Sequence, residues 1–274
     1  MTDAELLEAT VATEIDRLAR MAHLGDRGTA GPEAEPVGFI DAPIAQGVRW
    51  QSGWWVGAAQ RKAHPGRVGG PIVPFATVVH TTDMLPEEWD ALLNAWTTKP
   101  SDGACAHFLI GRDASHGVVQ LVAVNRNANH AGGPGHGVFD TATAKNIHPN
   151  TVTVGIELHC AGGVRMVGAA WRLVEDGKAH GMPIPAFDVI ADPQRPGRGW
   201  HVVTDYQRAQ LAALLVDLEL VLAPMPPGLV ARSTGEAVPS WGVPKSGRVV
   251  GHVSLDPTHR SDPWPATMAW LNAR

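Results

Sequence analysis

The sequence predicts an α/β fold: a central mixed β-sheet flanked by helices. Three features of the 274-residue chain point there. Short apolar, β-branched runs such as Phe75–His80 and Thr151–Leu158 read as strands. Segments with apolar residues three and four apart read as helices, and the two kinds interleave along the chain. The 30 glycines and 22 prolines, roughly a fifth of the residues with no regular period, indicate many loops between these elements.

Taken in order, Thr2-x-x-Glu5 is a capping-box pattern. Leu7, Val11, Ile15 and Leu18 follow at helical spacing, which predicts an amphipathic helix to about His23. Gly25 to Pro36 reads as a linker. Residues 37–72 hold Trp50, Trp54 and Trp55 among glycines without a clear period, and either wrap the main domain or line a groove. The expected division is therefore residues 1–70 as a helix and irregular extension, packed on or linked to the core, and 71–274 as the main domain. Pro86 opens a helix with Trp89, Leu92, Leu93 and Trp96 on one face. His107–Ile110 and Val118–Val124 read as strands joined by a turn at residues 113–117. Thr204-x-x-Gln207 is a second capping box, starting a helix through Leu211, Leu214, Leu215, Leu218 and Val221. Arg248–His252 is a last short strand, and Pro265 starts a terminal helix with Met268 and Leu271.

Composition narrows the function. A net charge of −5 argues against the broad basic face of a nucleic-acid binder. The start, Met1-Thr2-Asp3-Ala4-Glu5, lacks the basic and apolar regions of a secretory signal. The most apolar stretch, Leu211 to Ala223, is short and broken by Asp217 and Glu219, so no membrane span is expected. Synthesis in the cytoplasm follows, with some other agent releasing the protein if it acts outside. Cys105 and Cys160 read as two buried thiols or as a single bridge; both readings stand.

Phosphate loops, HExxH, GxSxG and SxxK patterns are absent, which leaves 13 histidines as the unusual resource. His80 ends the apolar run Val78-Val79-His80, and His252 ends Val249-Val250-Gly251-His252. Asp262 lies ten residues further on. Two imidazoles and a carboxylate would give Zn²⁺ three protein ligands and an open fourth position. Spacing alone does not decide, because strand-end histidines also serve as surface or hydrogen-bonded core residues.

Several blocks in chain order resemble one family. They are Val78-Val79-His80-Thr81-Thr82, then Ala106-His107-Phe108-Leu109-Ile110 with Gly117-Val118-Val119-Gln120-Leu121-Val122, then Asn129-His130-Ala131-Gly132. Thr153-Val154-Gly155-Ile156-Glu157-Leu158 and Gly251-His252 through Arg260-Ser261-Asp262-Pro263 complete the series. Together they resemble the type 2, zinc-dependent N-acetylmuramoyl-L-alanine amidases, which share the peptidoglycan-recognition-protein fold with phage lysis amidases. The resemblance covers roughly residues 75–270.

That resemblance implies zinc ligands at His80, His252 and Asp262, and a proton-carrying carboxylate at Glu157. Arg260 departs from the lysine usual two residues before the aspartate; it stays protonated and suits oxyanion stabilisation or an ion pair bracing the Asp262 loop. His107 and His130 fall near the family's substrate groove, as substrate contacts, as support for other residues, or as structural histidines. His64, His136, His148, His159 and His259 are assigned to loops and surfaces. The implied substrate is peptidoglycan or a muropeptide, cut between N-acetylmuramic acid and L-alanine, by a released lysin or an intracellular amidase. The alternatives are a non-catalytic peptidoglycan-binding module and a zinc amidase acting on another acyl-amino-acid or peptide amide. The segment from Gly162 to Trp200 is long enough to reshape a groove.

Overall fold

Two six-residue runs, Ala76–Thr81 and Thr153–Leu158, are buried along their whole length and lie side by side as parallel strands. Continuous burial of this kind is what a parallel strand covered on both faces requires. A computed structural model describes residues 50–99, 104–131, 138–140, 145–175, 178–224, 229–231 and 249–252, with Thr267 and Trp270. The expected N-terminal helix and linker, Arg260, Asp262, and the Pro265 helix with Met268 and Leu271 lie outside the described residues.

In chain order the strands of the two larger sheets begin with β1 (Ala59–Gln60), β2 (Ala76–Thr81), β3 (Phe108–Ile110), β4 (Val118–Gln120) and β5 (Thr153–Leu158). Next come β6 (Gly163–Val167), β7 (Ala170–Glu175), β8 (Lys178–Ile184), β9 (Val189–Ala191), β10 (Arg198–His201) and β11 (Val249–Gly251). The central six-stranded sheet runs β11-β2-β5-β3-β4-β1. Its pairs are parallel except for the antiparallel β3–β4 hairpin, so the sheet is mixed, as expected.

Helix α1 (Trp89–Thr98) follows a 3₁₀ turn at Pro86–Glu88, where Glu88 accepts from the Leu85 N–H at 2.7 Å. Trp89, Leu92, Leu93 and Trp96 are buried, and they pack with Leu109, Val119 and Leu121. The helix stops at Lys99, whose extended backbone suits the position before Pro100. Helix α2 (Asp205–Leu218) opens with the anticipated box: Gln207 N–H donates to Thr204 Oγ1 at 3.2 Å, and Thr204 N–H to Gln207 Oε1 at 3.1 Å. The same Gln207 amide donates to the carbonyls of Ile110 and His159, tying the helix start to the ends of two strands. On α2, Asp217 accepts from the indole N–H groups of Trp50 and Trp55 at 3.0 and 2.7 Å. Both indoles meet Phe108 edge-on. Phe108 and Leu109 are successive strand residues and point to opposite faces, so α1 and the Trp50–Trp55–α2 layer cover opposite sides of the sheet.

Residues 50–71, which carry no period, are thus fastened to this sheet by Trp50, Trp55 and edge strand β1. The Val118–Val124 run leaves the ladder after Gln120, where Gln120 accepts from Trp55 N–H and its amide donates to Gly53 and Val122 carbonyls. The run Arg126–Ala128 instead pairs antiparallel with Val68–Pro71. Helix α2 ends at Leu218, before Val221, where the backbone tightens: Leu220 N–H donates to the Asp217 carbonyl and Val221 N–H to the Leu218 carbonyl.

The Gly162–Trp200 segment forms a second, five-stranded antiparallel sheet in the order β8-β7-β6-β10-β9. Its inner face packs Val164, Trp171, Leu173 and Ile184 against Leu85 and Ala161. Gly168, at φ +64°, begins the two-residue turn between Val167 and Ala170.

Candidate active site

The parallel strands β2, β5 and β11 all run the same way, so their C-terminal ends share one edge of the sheet. Register places Glu157 beside His80. Gly251 pairs with Val79, so His252 follows at the level of His80. Three residues singled out from sequence therefore converge from strands whose segments lie far apart in the chain. His80 is 1% exposed, His252 3% and Glu157 8%.

Their hydrogen bonds fix which nitrogens carry protons. His130 Nε2 faces two acceptors, the Thr153 carbonyl at 3.3 Å and Thr153 Oγ1 at 3.2 Å. The Thr153 hydroxyl is itself spent as a donor to the Pro149 carbonyl at 2.8 Å. The proton of His130 therefore sits on Nε2, and its Nδ1 is a lone-pair acceptor. That Nδ1 lies 3.0 Å from His80 Nε2, which must donate. His80 Nδ1 is left with a lone pair and points at His252 Nδ1, 3.0 Å away. The chain of bonds leaves the first histidine of the pair neutral, with a lone pair aimed at the second and its other nitrogen held by an inner partner.

Gly155 makes this possible. A Cβ there would lie 2.3 Å from Cγ of the His130 ring. The ring cannot retreat without losing His80 or Thr153. Gly155→Ala is expected to destabilise the fold by about 1–3 kcal/mol, as overpacking does. A shift of the urea midpoint at constant m-value would show it; an unchanged midpoint would mean the ring has room to move.

His107 is fully buried, and both its nitrogens are taken by backbone groups. Nδ1 accepts from Gly155 N–H at 2.9 Å, so Nε2 carries the proton and donates to the Arg126 carbonyl at 2.8 Å. It braces β5 against the loop after β4, with no nitrogen left to meet a substrate. Burial lowers its pKa to about 4. Burial first, then the neighbouring His80 and His107, also pulls His130 well below the usual histidine range. His201, which accepts from Ala161 N–H at 3.0 Å, is lowered to about 3 by burial and Arg112.

A histidine whose folded pKa is depressed binds fewer protons folded than unfolded. Its contribution is complete above about pH 6.5 and is lost as the pH falls toward the folded value. For His107 the loss between pH 6.5 and 4 is about 3 kcal/mol. Stability should therefore fall steeply across that window, and His107→Gln should flatten part of the slope. Denaturant midpoints at pH 7 and 4.5 check this; equal midpoints would contradict the burial of neutral imidazoles.

His159, expected at the surface, is instead an interior residue at 0% exposure. Its Nε2 lies 3.3 Å from the Pro86 carbonyl, and its ring meets Trp89. Long-range partners satisfy it, and local sequence does not display them. His201 is concealed in the sequence for the same reason: its partner, the Ala161 N–H, lies 40 residues away. Cys105 and Cys160 are free, buried thiols, both pushed up to about 12 by burial, which removes them as nucleophiles. Among the described residues no three His, Cys, Asp or Glu side chains stand in an arrangement that could by itself hold a metal ion; Asp262 lies outside them.

A family profile described as N-acetylmuramoyl-L-alanine amidase matches residues 71–265. No curated protein matches the chain. Among solved structures, AmpD, determined as a selenomethionine derivative, is 20% identical, covering 81% of this chain and 97% of its own, with a TM-score of 0.45. AmpDh3 from Pseudomonas aeruginosa is 19% identical, covering 77% of this chain and 63% of its own, at a TM-score of 0.43. The N-acetylmuramyl-L-alanine amidase AmiD from E. coli is 18% identical over 77% of this chain and 60% of its own, at a TM-score of 0.42. With the profile spanning most of the sequence and both described histidines of the site inside it, the chain belongs to the N-acetylmuramoyl-L-alanine amidase family.

Proposed function

We propose that the protein hydrolyses the amide bond between N-acetylmuramic acid and L-alanine in peptidoglycan, using Zn²⁺ held by His80, His252 and Asp262. Family membership supports the reaction. The observation that carries the site is the 3.0 Å approach of His80 Nδ1 to His252 Nδ1, beside Glu157.

The donor set fits zinc. Two nitrogens on one tetrahedral zinc, each about 2.0–2.1 Å from it, stand about 3.3 Å apart. The observed separation is within a few tenths of an ångström of that. The hydrogen bonding of His80 through His130 to Thr153 leaves the correct nitrogen free of its proton. Asp262 completes the set as the family resemblance implies.

When bound, zinc acidifies water and polarises the amide carbonyl. Glu157 takes the proton of the attacking water and delivers it to the leaving amine of L-alanine. Arg260 donates to the developing oxyanion. His130 orients His80, and His107 fixes β5, so neither touches substrate in this reading.

A non-catalytic binding module is less well supported, because such members of the family typically lose a zinc ligand. No described helix is long and apolar enough to cross a membrane. Action as a released lysin or on intracellular muropeptides are both compatible with the site.

Digestion of purified peptidoglycan tests the reaction. Mass spectrometry should find intact stem peptides beginning with L-alanine, with glycan strands uncut. New reducing sugar ends, or amino groups exposed inside the stems, would overturn the assignment.

A further inference from the structure

The second sheet carries a feature that its packing does not need. Arg165 on β6 lies directly opposite Arg172 on β7 and directly opposite Arg198 on β10. Residues paired in this way point to the same face. Val164 and Leu173 pair on the other face, where both are buried, so the three arginines share the outward one. With neighbouring strands about 4.8 Å apart, the row is roughly 10 Å long.

Like charges set directly across a sheet repel. Among the described residues no carboxylate pairs with Arg165, Arg172 or Arg198. Asp188 is engaged by Arg112 at 3.7 Å, and Asp192 is buried against Arg195 at 2.5 Å. Arg172 is held in place by donating to the Gly181 carbonyl at 2.7 Å. Arg165 and Arg198 are exposed. The concentration is local, since the chain as a whole carries a net charge of −5.

The same face continues into Trp200, two residues from Arg198 on β10, with the Arg195 guanidinium 5.9 Å from its ring centroid. Ile190, which pairs with Trp200, is 42% exposed beside it. An amphipathic aromatic next to a line of guanidinium forks is suited to a polymer offering carboxylates along a sugar chain. The sheet begins five residues after β5 ends, on the edge that bears Glu157 and His80.

We infer that the outer face of the inserted sheet is a non-catalytic binding strip for polymeric peptidoglycan, in which the Arg172–Arg165–Arg198 row grips carboxylates of peptide stems. The strip rests on the peptidoglycan reading given above and adds to it a second point of hold on the polymer. Its occupant is a stretch of wall beyond the stem being cut, so it acts on retention at the polymer.

The test uses the full chain and insoluble peptidoglycan stripped of phosphate-bearing accessory polymers. Sedimented protein is measured for the wild type, Arg165→Glu/Arg198→Glu and the neutral Arg165→Gln/Arg198→Gln. Exposed charge pairs are individually weak, so the effect is read on two positions together. Loss of two, with reversal, should weaken binding about tenfold, and the glutamine pair less. Added salt should erase most of the difference. Hydrolysis of a single soluble muropeptide, which reports the catalytic site alone, should keep its kcat/KM in both variants. Sedimentation of the glutamate pair equal to wild type would overturn the strip. So would binding that survives only on wall still bearing its phosphate polymers, since stem carboxylates would then not be the ligand. Failure of the amidase reading is seen separately, as absent muropeptide hydrolysis in the wild type.

Discussion

Glu157→Gln is expected to lower turnover roughly 10²–10⁴-fold, the usual contribution of general acid–base catalysis, while the protein still folds and takes up zinc. The substitution preserves length and polarity but removes the carboxylate's ability to accept a proton. Glu157 belongs to a fully buried strand, between β2 and β3, and its neighbour in register is His80. A carboxamide fits the same position with little repacking. The expected result is therefore a split: near-normal thermal stability and metal content, and a collapse of kcat. Full activity in this variant would place the proton carrier on another residue. Parallel loss of stability and activity would instead make Glu157 a structural carboxylate.

His252→Ala is expected to abolish stoichiometric zinc and to reduce hydrolysis by at least about 10³-fold, since the Lewis acid supplies several kcal/mol of transition-state stabilisation. His80→Ala should do the same but with a further cost. Its ring is also the partner of His130, so removal leaves a buried acceptor without its donor, a penalty of about 1–3 kcal/mol. The two variants thus separate ligation from support. Metal analysis beside a denaturation curve reads both, and a His252→Ala protein that keeps one tightly bound zinc would remove His252 from the ligand set.

Much of this site is legible in the sequence because its parts are strand ends. The runs ending at His80 and Gly251 and the run carrying Glu157 are apolar and continuous, and parallel strands buried on both faces carry that pattern. Thr204 and Gln207 announce a helix start by local chemistry, and the structure forms both of their bonds. The rest depends on partners remote in sequence. His107, His159 and His201 are buried only because backbone groups from other segments meet their nitrogens. Trp50 and Trp55 sit in two-residue strands, too short for any period, and find Asp217 more than 160 residues away. The strands of the second sheet bury only scattered residues, Val164 alone in β6 and Ile184 alone in β8, so no period marks them and the sequence shows only a long insertion. The exclusive use of Gly155 against the His130 ring is likewise a tertiary fact.

The central claim is that His80 and His252 are joined by a metal rather than by a hydrogen bond alone. Diffraction from crystals of the purified protein, collected on both sides of the zinc absorption edge, tests it most directly. The expected result is one strong anomalous peak about 2.0–2.1 Å from Nδ1 of both histidines, with an Asp262 oxygen as the third protein ligand. A peak elsewhere on the chain, or zinc-supplemented crystals with no peak between the two rings, would contradict the account.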